Sequence, residues 1–110
     1  SAICHVKGGD TVKIGHACAM ALKNLMGLVC DPVGGLVEVP CVKRNVGGAF
    51  NAIAAADMAL AGIESQIPVD QVIDAMKEVG DKMDVSLRET GFGGVAGSAK
   101  AAEIVERMNM

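Results

Sequence analysis

Helical spacing of apolar residues constrains this chain more than any other feature. Ile14, Cys18, Ala21, Leu22, Leu25 and Val29 recur at steps of three and four, which predicts a helix over about 11–27. Val69, Val72, Ile73, Met76 and Val79 repeat the pattern, as do Ala101, Ile104, Val105 and Met108. A further segment, about 41–61, opens polar at Lys43, Arg44 and Asn45 and becomes alanine-rich from Ala49 to Ala61. No stretch is a confident strand. The spacing therefore predicts an all-α fold: one compact helical domain of four to five helices over 1–110, with two Gly-rich functional loops.

Local punctuation places the helix ends. Gly8-Gly9-Asp10-Thr11 reads as a loop followed by an N-cap. Pro40 suits the first turn of the alanine-rich helix, and Gly62 stops it. Ile67-Pro68-Val69-Asp70 opens the next helix, Gly80 ends it, and Ser98 begins the last one. Gly47 and Gly48 weaken their helix by about 1 kcal/mol each, tolerable where another backbone or a cofactor comes close.

Composition removes several function classes. Of 110 residues, 51% are hydrophobic, too many for a disordered chain. The most apolar stretch, Val46 to Ile63, carries Asn51 and Asp57, which argues against a membrane span. Net charge is −3, Trp and Tyr are absent and only two Phe occur, so no basic, base-stacking surface for nucleic acid is expected. Eight of the 14 glycines fall in pairs: Gly8-Gly9, Gly34-Gly35, Gly47-Gly48 and Gly93-Gly94. So apolar a chain, so poor in aromatics, suggests part of a larger assembly and a homo-oligomer. It begins with Ser and no signal peptide precedes it, so it reads as a fragment or processed chain in the cytoplasm. Cys4, Cys18, Cys30 and Cys41 are then expected to be reduced thiols, and Cys18, within a helical stripe, to be a core residue.

The segment Cys30-Asp31-Pro32-Val33-Gly34-Gly35-Leu36-Val37-Glu38-Val39-Pro40-Cys41 has a different texture. Asp-Pro and Gly-Gly are turn chemistry. Leu36 to Val39 suggests a short extended piece, and the apolar content suggests a loop packed inside. A thiol at each end, glycines between them and a helix N-terminus at Cys41 suit an iron–sulfur cluster, whose sulfides accept backbone N–H bonds. Spacing alone is a weak signal, and two cysteines do not fill a cuboidal cluster.

The residues themselves are more specific. Leu28 through Asn45, eighteen positions without interruption, resembles the signature of bacterial iron–sulfur-dependent L-serine dehydratases. Asn51-Ala52-Ile53, Ala55 to Leu60, Arg88-Glu89-Thr90-Gly91 and Gly93-Gly94 are similar to the same family, and the likeness runs from about Thr11 to Ala96. It is greatest for the C-terminal part of the alpha chain of the two-subunit form.

That resemblance implies a lyase that converts L-serine to pyruvate and ammonia without pyridoxal phosphate. It implies a 4Fe–4S cluster on three cysteines, with an open iron acting as Lewis acid on the serine hydroxyl. Cys30 and Cys41 match two of the three. The third lies upstream of the loop in the family. Cys4, in Ala2-Ile3-Cys4-His5-Val6, lacks the family context and is not assigned. The cluster is thus expected in the intact enzyme and absent from this chain alone, with a beta chain or domain as partner.

Other residues are weighed individually. Arg44 is a candidate for the substrate carboxylate and Lys43 for solvated charge. Asp31 is expected to lock the loop by accepting backbone N–H groups. Glu38 is expected at the surface. His5 and His16 match no family motif, so the general base is expected outside this sequence. Gly91, Gly93 and Gly94 look like an anion nest or a plain turn. A competing reading makes the chain a helical structural or oligomerisation module with no chemistry of its own.

Overall fold

The computed structural model describes all 110 residues. It is all-α. Five helices follow in order: α1 (Ala2–Val6), α2 (Thr11–Leu25), α3 (Cys41–Leu60), α4 (Val69–Lys82) and α5 (Ala99–Met108). Short 3-10 turns occupy Val33–Gly35, Val85–Leu87 and Gly94–Gly97. The only strand-like pairing is an isolated parallel bridge between Cys30 and Arg88. No helix is long and apolar enough to cross a membrane. The residues group into two compact units, each built from two separate stretches: Ser1–Gly27 with Gly47–Asp81, and Leu28–Val46 with Lys82–Met110.

In the first unit small side chains set the packing. Cys4, Ala17, Met20, Ala55, Ala56 and Ala59 form its core, with Ile3, Ile14, Ala21, Met58 and Leu60 against them. Alanines on facing helices allow close approach, and the area they bury is correspondingly modest. Polar bonds add register. Asp10 caps α2 by accepting from Lys13 N at 2.9 Å. Asn51 on α3 donates to the Ala21 carbonyl at 3.0 Å and accepts from Asn24 Nδ2 at 2.8 Å. Ser65 N–H donates to His16 Nδ1 at 3.1 Å, and the buried Ser65 hydroxyl donates to the Ile67 carbonyl at 2.6 Å.

The second unit has a smaller core: Val33, Ala96 and Ala101, with Ile104 and Val105 beside them. Ser98 caps α5, its hydroxyl oxygen accepting from Ala101 N at 3.2 Å, so α5 lays Ala101, Ile104 and Val105 inward as its spacing predicts. The loop that follows α2 is knitted to the segment after α4. Cys30 N donates to the Leu87 carbonyl at 2.9 Å, and Glu89 N donates to the Cys30 carbonyl at 2.8 Å.

Several local expectations are corrected. Cys18 is only half-buried, because the neighbouring Ala17 and Met20 occupy the core-facing positions of α2. Gly80 does not end α4, which runs on to Lys82, since glycine tolerates helical backbone at a modest cost. Of Leu36 to Val39 only Leu36 keeps an extended backbone, since Val37 to Pro40 form turns; Leu36, Val37 and Val39 are exposed, and only Asp31 to Val33 lies buried. Nothing approaches the positions where Gly47 and Gly48 would carry a Cβ, so close packing does not account for that pair. Helix α1, with fully buried Cys4, is too short for periodicity to find.

Candidate functional site

The second unit holds both thiols of the Pro/Gly loop. Cys30 is exposed and anchored through its backbone to Leu87 and Glu89; Cys41 is half-buried at the start of α3. Both are free thiols. At Cys30 desolvation first, then the nearby Glu89, Cys41 and Asp31, push the thiol pKa up, against the lowering by Arg44.

One carboxylate organises the loop between them. Asp31 is 1% exposed. Its Oδ2 accepts from Val95 N at 2.7 Å, and its Oδ1 accepts from Arg44 Nη1, which also donates to the Val29 carbonyl at 2.9 Å. Asp31 thus ties the loop, the first turn of α3 and the second Gly-rich segment together. The lock expected at Asp31 is present, but its N–H donor lies 64 residues away and not in a local turn. Burial pushes the Asp31 carboxyl up, yet the Val95 N–H and the Arg44 guanidinium outweigh it and hold the group below the ordinary carboxylate range.

The sign of that shift gives a prediction. A depressed folded-state pKa stabilises above the unfolded value, about 3.9 for Asp, and the benefit is lost as pH falls through the folded value. Urea midpoints of the chain should therefore drop between pH 5 and pH 3. Asp31→Asn should be less stable at pH 5 and should lose less on acidification. Parallel slopes for the two proteins would show that Asp31 contributes nothing.

The second Gly-rich segment meets the first directly. Thr90 Oγ1 donates to the Ser86 carbonyl, and Arg88 Nε donates to the Met83 carbonyl at 2.7 Å. A Cβ at Gly94 would overlap Asp31 Oδ2 and lie 2.7 Å from its Cγ. An open cavity of about 490 Å³ lies between these segments, lined in part by Gly34, Gly35, Gly91 and Glu89.

Candidate residues sort by unit. Cys30, Cys41, Arg44 and Asp31 all belong to the second. Arg44 is engaged by Asp31 and Val29 through Nη1, while its side chain is 40% exposed. Lys43, Asn45 and Glu38 are exposed. Cys4, Cys18, His5 and His16 belong to the first unit, where Cys4 is core and His16 Nδ1 is an acceptor for Ser65. No set of three or more His, Cys, Asp or Glu side chains is gathered for a metal ion. Two thiols suit iron–sulfur chemistry, but the chain's own donors stop one short of the three that the resemblance implies. Sequence reading named Glu89 within the Arg88-to-Gly91 motif but gave it no role; its left-handed backbone, φ 62°, is the only such case outside glycine. Its place between Arg88 and Thr90-Gly91 was the available signal.

The family model described as serine dehydratase alpha chain matches residues 1–96. The chain belongs to the serine dehydratase alpha-chain family. A probable L-serine dehydratase alpha chain of Bacillus subtilis (strain 168) is 56% identical over 108 residues, 98% of this chain and 36% of that protein. A probable L-serine dehydratase alpha chain of Latilactobacillus sakei is 58% identical over 96 residues, 87% of this chain and 46% of that one. The L-serine dehydratase alpha chain of Peptoniphilus asaccharolyticus is 48% identical over 104 residues, covering 94% and 36%. This alpha-chain family member therefore spans between a third and a half of the length of these relatives.

Proposed function

We propose that this chain is the C-terminal, cluster-binding part of the alpha chain of an iron–sulfur-dependent L-serine dehydratase, converting L-serine to pyruvate and ammonia with a beta chain or domain. The observation that carries the reading is the placement of Cys30 and Cys41 in one unit, on a loop held by the buried Asp31–Arg44 pair. Cys30 and Cys41 would supply two thiolates, and a third would come from sequence beyond these 110 residues. A bound cluster of this kind supplies a Lewis-acidic iron to an alcohol oxygen. The chain's own residues hold and shape the site: Asp31 fixes the loop backbone, and Arg44, positioned by Asp31, offers its remaining guanidinium nitrogens to a substrate carboxylate. Activity in the cytoplasm and assembly as a homo-oligomer belong to the same proposal.

The test is anaerobic reconstitution of the enzyme assembled from complete alpha and beta chains with iron and sulfide. Stoichiometric iron and sulfide uptake with pyruvate formation from L-serine is expected. The 110-residue chain alone should fold and form no pyruvate. Full turnover by iron-free enzyme would overturn the reading.

A structural or oligomerisation role is favoured by one observation. Val42, Val46, Phe50 and Ile53 follow one face of α3 and are 58%, 56%, 70% and 44% exposed. Sedimentation of the isolated chain separates the cases: self-association without cluster uptake in the assembled enzyme would support this second role alone.

A further inference from the structure

Glu89 combines three properties that are rarely found together. Its backbone is left-handed, φ 62°, where a non-glycine residue is strained. Its carboxylate is exposed and takes part in no hydrogen bond or ion pair. It lines the open cavity of about 490 Å³, within the roughly 300–1,000 Å³ of small-molecule clefts. The nearby cations are committed elsewhere: Arg44 to Asp31 and Val29, Arg88 to the Met83 carbonyl. The rest of the lining is Gly34, Gly35 and Gly91, Thr90, whose hydroxyl is already given to the Ser86 carbonyl, and apolar Phe92 and Val105. An unpaired carboxylate over such a wall is complementary to a small cation with a short side chain.

We propose that Glu89 binds the α-ammonium group of a small amino acid in the cavity between the two Gly-rich segments. The inference rests on the serine dehydratase reading for the identity of that amino acid, and on the cavity alone for its charge class. The strained backbone is then understandable as the means of aiming a carboxylate from a tight turn whose N–H is already given to the Cys30 carbonyl.

The experiment titrates the 110-residue chain, followed by amide NMR shifts, with L-serine, L-alanine, ethanolamine and L-glycerate. The three amines should shift the Gly35, Gly91 and Phe92 amides, while L-glycerate, which has the carboxylate and hydroxyl but no ammonium, should not. Glu89→Gln should weaken amine binding at least tenfold. Glu89→Gly should abolish it with a melting temperature no lower than the parent, since glycine relieves the left-handed strain; a purely structural Glu89 would instead lower it. Equal binding of L-glycerate, or amine binding unchanged in Glu89→Gln, overturns the proposal even where the assembled enzyme makes pyruvate. Amine binding lost with Glu89, in a protein whose assembled form makes no pyruvate, upholds the site and overturns only the dehydratase reading.

Discussion

Replacing Cys30 or Cys41 with alanine in the assembled enzyme is expected to abolish pyruvate formation and to lower iron and sulfide content together. Losing a ligand should cost more than the roughly 10–100-fold that loss of an outer partner costs at metal sites. Neither substitution should unfold the chain. Cys30 is exposed and Cys41 half-buried, and neither belongs to a hydrophobic core. Cys18→Ala is the matched control: a half-buried thiol of the first unit, expected to leave most turnover and the iron content intact. Circular dichroism of each variant separates folding from chemistry. Near-normal turnover by either loop variant would end the ligand assignment, and loss of activity in a folded Cys18→Ala would reassign that residue.

Gly94→Ala should be among the most damaging single substitutions for stability. Gly94 has φ 56°, where an L-residue costs about 1–2 kcal/mol. The added methyl group also meets Asp31, lying 2.7 Å from its Cγ and 2.9 Å from its Cβ. Moving Asp31 breaks its bonds to Val95 N and Arg44, each of the charge-assisted kind that contributes about 1.5–3 kcal/mol. A total loss of about 3 kcal/mol or more follows, a large part of the stability of any small domain. Gly35→Ala separates the two causes. Gly35 has φ 74° but open space around it, so only the backbone penalty applies. Chemical denaturation should rank Gly94→Ala well below Gly35→Ala. Equal losses would mean that Asp31 yields without cost and that the lock is weak.

The two kinds of structure in this chain were not equally legible from sequence. Helices α2, α3, α4 and α5 follow from apolar spacing and caps, because a helix writes its buried face into residues three and four apart. Helix α1 was invisible because five residues contain too little periodicity, and its stability rests on burying Cys4. At the site, Cys30, Asp31, Cys41 and Arg44 were legible from local texture and family likeness. Their partners were not. Val95 is 64 residues from Asp31, and no local rule links the two. Glu89 was noticed only as a residue leading into a glycine-rich loop; neither its left-handed backbone nor its N–H bond to the Cys30 carbonyl, 59 residues away in sequence, has a local sequence signal. Long-range hydrogen bonds leave no periodic trace.

The interleaving of the two units carries a consequence for the order of events during synthesis. The first unit is completed by residue 81, whereas the second waits for Lys82–Met110. Asp31 leaves the ribosome without its Val95 donor, and the 64 intervening residues take roughly 3–13 s at about 5–20 residues per second. Through that interval Cys30 lacks its bridge to Arg88, and the thiol loop is an open length of chain with large loop-closure entropy still to lose. A nascent chain arrested before residue 94 would therefore present both loop thiols without the frame that fixes them. Under the proposed cluster-binding role, the loop would become a fixed ligand frame only after Ala96 and Ala101 have been made and have closed the small core with Val33.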